Sequence, residues 1–280
     1  MPSVVFAVIA VFAASLDGVV WKYTIDRKGC PWAGLILFHI LSVVLLLPVT
    51  SRSDLILPGA EVTALLLLSS LFWVVGDLFA RKAYRYLDAA VCQLYGSLKL
   101  VLITMAGVVL FAERLSTVTV CGILLVLFSI VYQLDLRSLR FNKGAIFSLV
   151  AVIGQASALI LDKHLTSLAS EGCIVFYGFL LPALMYTVAG RGYLKNIPHT
   201  LKVSNYRFLL CPLLGCSSYY CLIQALSSGQ LSLTYIIQET GVLMVLILEV
   251  LILRSRENLL HKALACSACT AGAIMACGFS

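Results

Sequence analysis

Lys99 lies near the middle of DAAVCQLYGSLKLVLITMAGVVLFAER, Asp88 to Arg114, an otherwise apolar run about long enough to cross a bilayer. An ammonium at membrane depth costs roughly 3 kcal/mol on insertion scales unless it faces protein, water or a ligand, so Lys99 is expected to point into a cavity. Tyr95 shares its helical face one turn earlier, with Gln93 to the side. A cation beside a hydroxyl and an amide suits a carboxylate or phosphate group. The competing role is an internal ion pair with Glu239 or Asp77 that only fixes helix register.

Glu239 is the opposite charge, in LTYIIQETGVLMVLILEVLIL, with Gln238 before it and Tyr235 on its face. It is the candidate to bind a cationic group or carry a coupled proton. Asp77 is a second candidate for proton coupling, though its spacing to Arg81 also permits a simple i, i+4 pair. Asp17 lies about a turn from Trp21, and Trp21-Lys22 reads as an interfacial pair, which would put Asp17 near a cavity mouth. Gln155 and Tyr220 add hydrogen-bonding and stacking capacity to the second half, with interhelical packing the competing role for Tyr220 and Trp73. The candidate substrate-binding set is thus Lys99, Glu239, Gln238, Gln93, Tyr95, Tyr235, Asp17, Gln155 and Tyr220. Glu249 reads instead as an interfacial anchor near Arg254 and Arg256.

Other chemistries find no support. Cys266 and Cys269 have a Cys-Ser-Ala-Cys spacing but no second ligand pair, and His39, His164, His199 and His261 are scattered. No phosphate-binding loop, nucleophile elbow, carboxylate pair or HExxH is present, so neither an enzyme, a metal nor a cofactor is expected.

The elements that must hold these charges are membrane spans. The chain has 280 residues, 61% hydrophobic and 12% charged, with a mean hydropathy of +1.02. A soluble domain has about a quarter of its residues charged. Apolar runs bounded by charge, Pro and Gly predict ten spans, approximately 3–21, 33–50, 62–80, 88–111, 116–134, 144–162, 172–190, 206–227, 230–253 and 259–278. The first run has no basic stretch before it and no small-residue cleavage pattern after it, and reads as a retained span. Ten cysteines, mostly inside apolar runs, are expected to be free thiols. Ala268, Gly272 and Ala276, like Ala10, Ala14 and Gly18, form small-residue stripes for close helix packing.

Laying the halves over each other at an offset of about 141 to 142 positions puts Ser15 on Ser157, Lys22 on Lys163 and Ala83 on Ala225, with Lys99 within two positions of Glu239. Five spans per half is odd, so the second half must enter the membrane upside down. The expected architecture is an all-α polytopic membrane protein with ten transmembrane helices as a 5+5 inverted repeat, residues 1–140 and 141–280. Sixteen of the twenty Lys and Arg residues fall in loops after odd-numbered spans, Lys22, Arg81, Arg137, Arg140, Lys143 and Lys262 among them. Only Arg52, Arg114 and Lys163 fall on the other side. The crowded side is therefore expected to be cytoplasmic, both termini outside, in the plasma (inner) membrane. Clustered in these loops, the net charge of +7 anchors the protein to the bilayer and does not indicate a nucleic-acid partner.

Ten spans, a five-plus-five repeat and a fourth span ending in Glu113-Arg114-Leu115 resemble the drug/metabolite transporter superfamily, particularly its EamA-type members. Gln93 to Lys99, QLYGSLK, followed by Thr104 and Ala106, also resembles the fourth span of nucleotide-sugar transporters, with Ser97 where those carriers have Gln. That likeness implies that Lys99 faces an anionic nucleotide, while EamA-type members usually keep both termini in the cytosol. The expected function is a secondary transporter moving a small polar or charged organic metabolite by alternating access. Zwitterions such as amino acids or their derivatives are favoured, with a nucleotide or nucleotide sugar as the alternative. A non-transporting membrane scaffold subunit is the reading from another class. The partners expected are a small-molecule substrate and the lipid bilayer, the chain acting as a monomer or homodimer.

Overall fold

The computed structural model describes residues 2–56, 58–113, 116–133, 143–253 and 259–277. The expected junction between repeats, at 140 and 141, lies outside them, as do Arg114, Leu115, Arg137, Arg140, Arg254 and Arg256.

Regular structure among the described residues is helical: α1 (Pro2–Asp26), α2 (Pro31–Leu46), α3 (Ala60–Ala83), α4 (Ala89–Gly96), α5 (Lys99–Phe111), α6 (Thr117–Gln133), α7 (Lys143–Leu165), α8 (Glu171–Ala189), α9 (Ile197–Val203), α10 (Leu210–Ser228), α11 (Leu231–Glu239), α12 (Gly241–Leu248) and α13 (Leu259–Cys277). Seven stretches are long and apolar enough to cross a membrane, counting α4 with α5 and α11 with α12. Shorter apolar helices, Pro31–Leu46, Thr117–Ser129 and Leu259–Met275, stand where the second, fifth and tenth spans are expected.

Local signals set the helix ends. Pro31 opens α2, where its missing N–H is no loss. The Ser170 hydroxyl accepts from the Cys173 N–H at 3.3 Å and caps α8. Ala112, left-handed at φ 51°, ends α5.

Two spans expected to be continuous are broken near their middles. Between α4 and α5 the backbone tightens to i→i+3 bonds, Leu98 N–H to Tyr95 O at 3.1 Å and Leu100 N–H to Ser97 O at 3.0 Å. Between α11 and α12, Thr240 N–H bonds Ile237 O at 3.1 Å. Lys99 begins α5 and Glu239 ends α11, so each intramembrane charge sits at a break.

The helices pair as α1 with α10, α3 with α7, α2 with α8 and α6 with α13, while α11 meets α5 and α12 meets α4. The α3–α7 crossing is tightest at Gly76 and Gly154. A Cβ on Gly154 would lie 2.9 Å from Gly76 N and 3.0 Å from Phe72 O, so backbone meets backbone there. The small-residue stripe of α13 behaves likewise: a Cβ on Gly272 would lie 2.7 Å from Gly122 O of α6.

Buried and half-buried charges tie the helix ends. Lys22 Nζ donates to Asp26 at 2.7 Å and to Tyr84 O at 2.9 Å, at the end of α3. Lys163 Nζ donates to Leu226 O at 2.6 Å and Gly229 O at 2.8 Å, at the end of α10. Glu113 accepts from Leu231 N–H at 2.7 Å, Ser232 N–H at 3.2 Å and the Ser232 hydroxyl, capping α11. Glu249, expected to be an anchor near Arg254 and Arg256, instead turns inward and accepts from Ala90 N–H at 2.7 Å, capping α4. The first turn of α4 otherwise has orphan donors that a buried carboxylate satisfies, which is why the inward position wins. Lys262 pairs with Asp88 beside it. The nine cysteines whose side chains are described are free.

Candidate functional site

A cavity of about 260 Å³ lies among α1, α2, α3, α4, α5, α7, α8, α10, α11 and α12. Its walls carry Asp17, Asp77, Arg81, Lys99 and the amides Gln93, Gln155 and Gln238, with aromatic surface from Trp73, Phe179, Tyr219 and Tyr235. The polar groups come from helices whose outer faces are apolar, so the charges are turned inward to where they meet other polar atoms.

Lys99 Nζ donates to Gln155 Oε1 at 2.8 Å, and Gln155 Nε2 donates to Asp77 Oδ1 at 2.8 Å. The Gly76–Gly154 contact makes this chain possible, because it brings the neighbouring residues Asp77 and Gln155 together across two closely crossed helices. Lys99 Nζ also lies 5.7 Å from the Tyr235 ring centroid. Asp77 does not pair with Arg81 as its spacing allowed. Arg81 Nη2 instead reaches Asp17 Oδ2 at 3.1 Å and stacks its guanidinium 4.4 Å from the Trp21 ring. Arg81, counted in sequence as a loop cation, is therefore a cavity residue, because α3 runs on to Ala83 and turns the side chain inward.

Of the candidate set, Asp17, Gln93, Lys99, Gln155, Tyr235 and Gln238 line the cavity, as does Asp77. Gln238 Nε2 is buried without a hydrogen-bond partner. Glu239, 1% exposed, sits among Ser97, Lys99 and Tyr235, but no ion pair joins it to Lys99 among the described residues and it does not line the cavity. Tyr95 also stands off the wall, and Tyr220 is 43% exposed, its hydroxyl accepting from Gln224 Nε2 at 3.3 Å.

Sequence reasoning missed Asp162 and His39. Asp162, 1% exposed, accepts from the Ser69 hydroxyl at 2.5 Å, Trp73 Nε1 at 2.9 Å and the Tyr219 hydroxyl at 2.9 Å. It fixes two aromatic side chains of the wall, whose rings meet edge to face at 5.9 Å. Next to Lys163 at the end of a span, Asp162 looks like half of a surface pair; its place seven residues after Gln155 on one helix was the available signal. His39 bonds Leu35 O at 2.9 Å and faces the cavity from mid-α2.

Apolar helices enclosing a charged, aromatic-walled cavity define an integral, multi-pass membrane protein. Residues 1–133 match the EamA-like transporter family, which bears out the resemblance to EamA-type drug/metabolite transporters and indicates a membrane transporter. A solved structure, described as the crystal structure of a protein, is similar with a TM-score of 0.69 at 17% sequence identity over 96% of each chain. That likeness is one of fold. No curated protein matches the chain.

Proposed function

We propose that the protein is a secondary carrier that takes a small polar or charged organic metabolite through the central cavity by alternating access, with zwitterions such as amino acids or their derivatives the favoured class. The observation that carries this reading is Lys99, an intramembrane cation bonded to a neutral amide and not to a carboxylate, in a cavity that also holds Asp77 and Gln238. A substrate carboxylate or phosphate can take one of the lysine's remaining protons, and a substrate ammonium can meet Asp77. Glu239, buried beside Lys99, would carry a coupled proton or respond to the substrate's charge. A nucleotide or nucleotide sugar remains the alternative substrate, favoured by the aromatic wall of Trp73 and Tyr219.

The carrier reading includes ten spans arranged as two five-helix repeats of opposite orientation, residues 1–140 and 141–280. The helix pairings support it: exchanging the halves turns the α1–α10 contact into the α7–α3 contact and leaves α2–α8 and α6–α13 unchanged. The end ties support it too, since Lys22 and Lys163 hold equivalent helix ends, and Glu113 and Glu249 cap the half-helix starts at Leu231 and Ala90. Those two starts are related by the offset that aligns the halves. Broken helices at the repeat interface are where transporters of this kind bind substrate. By the basic-loop bias the Lys22 side would be cytoplasmic.

Reconstituted protein tested against amino acids, nucleotides and sugar nucleotides decides the matter. Lys99→Ala and Glu239→Gln, each correctly inserted, should transport the wild-type substrate more slowly. Wild-type rates for every metabolite in both variants would refute the carrier mechanism. In a scaffold subunit, Lys99 would be reached by neither water nor substrate.

A further inference from the structure

Away from the cavity, at the membrane face where α1 ends, two arginines share one tyrosine ring. The Arg27 guanidinium lies 4.4 Å and that of Arg207 5.1 Å from the Tyr23 centroid. Neither has a carboxylate partner among the described residues; nearby Asp26 is taken by Lys22. Like charges gathered on one ring repel, and the cluster is held in place by the fold. Cys30 N–H donates to the Thr200 hydroxyl at 3.2 Å, tying the turn after α1 to α9, and Asn205 Nδ2 donates to the Tyr23 hydroxyl at 3.5 Å. Three of the four described non-glycine residues with positive φ surround it: Lys28 at 66°, Asn205 at 50° and Tyr206 at 59°. Such backbone persists only where the surroundings impose it, and it concentrates at binding sites.

We propose that Arg27 and Arg207, with Lys28 beside them, bind the phosphate of an anionic membrane phospholipid. Arginine forks match phosphate oxygens, and a phosphate supplies the counter-charge that the basic cluster lacks. The source is a lipid and not free phosphate because the adjoining surface is greasy: Tyr206 is 63% exposed, Leu209 47% and Leu210 55%, immediately beside Arg207. A headgroup on the arginines would lay its acyl chains along these side chains at the start of α10. This inference is independent of what the central cavity carries.

Native mass spectrometry of the full-length protein in detergent, titrated with phosphatidylglycerol, phosphatidylcholine or inorganic phosphate, tests it. Wild type should retain phosphatidylglycerol in preference to phosphatidylcholine. The Arg27→Gln, Arg207→Gln double variant should bind phosphatidylglycerol about thirtyfold more weakly, with phosphatidylcholine unchanged. Either single variant should show an intermediate loss, and Arg191→Gln, an exposed arginine elsewhere on the same face, should show none. Equal phosphatidylglycerol retention by wild type and both single variants would overturn the proposal. So would displacement of the lipid by inorganic phosphate at comparable concentration, or an equal loss in Arg191→Gln.

Discussion

Two polar clusters are strung along the same helix pair, α3 and α7, and they are built on opposite plans. Around Asp162 the cluster is closed: three donors converge on one carboxylate, and Asp162 itself is almost entirely hidden. Toward the other end of the pair, Lys99, Gln155 and Asp77 form an open chain. The lysine uses one of its three protons on Gln155, and Asp77 accepts there through a single oxygen. A buried polar group with all its partners rigidifies a fold, whereas one with capacity left over can still accept a further partner. The closed cluster shapes the wall, and the open one is where the proposed carrier would meet its cargo.

Breaking the closed cluster should give the largest effect on stability. Asp162→Ala strands the Ser69, Trp73 and Tyr219 donors and should cost about 3 kcal/mol or more, read as thermal or denaturant unfolding in detergent, with Asp162→Asn costing less. Breaking the open chain should separate the two regions cleanly. Lys99→Ala should lower kcat/KM for transport about tenfold to a hundredfold, the worth of a charge-assisted contact, while the unfolding temperature stays near wild type. A variant that lost both together would mean that the open chain is as structural as the closed one.

The reciprocal glutamate caps sharpen the contrast further. Glu113→Ala removes an acceptor for three hydrogen bonds and should cost about 2 kcal/mol, Glu249→Ala, with one backbone bond, about 1 kcal/mol, both by thermal unfolding. The smallest effect is expected outside the membrane. Hydrogen bonds from the Ser170 and Ser51 hydroxyls hold the Asp54 carboxyl below its ordinary value of 3.8. Because the folded value is depressed, this contribution is present at neutral pH and lost as pH falls from about 3.8 through the lower folded value. Ser170→Ala should lower the unfolding temperature at pH 7, and the difference from wild type should shrink in acid to the share left by the lost α8 cap; a difference of the same size at all pH values would contradict the assignment.

Much of this was legible in the residues. The apolar runs marked where the helices lie to within a few positions, since a span needs a fixed length of hydrocarbon-compatible chain and charge or proline ends it. Lys99, Asp17, Gln93, Gln155, Tyr235 and Gln238 stood out as polar groups in apolar surroundings, and the cavity has them on its walls. The helix breaks did not show: each has a glycine beside it, Gly96 before Ser97 and Gly241 after Thr240, but an isolated glycine without proline in an apolar run does not by itself mark a break. They are maintained by tertiary contacts. Partner choice was also hidden: Asp77 and Arg81 are neighbours on α3, yet each bonds to a different helix. Periodicity gives the face of a side chain, and only packing decides what it meets there.

If the protein works by alternating access as proposed, water and substrate reach Lys99's cavity from the two membrane faces in turn. The most direct test is labelling of Gln93→Cys, in a background without the native cysteines, by a membrane-impermeant thiol reagent applied to either face of oriented proteoliposomes. Labelling from both faces, slowed by transported substrate, is the predicted result; protection from both faces, with or without substrate, would contradict it.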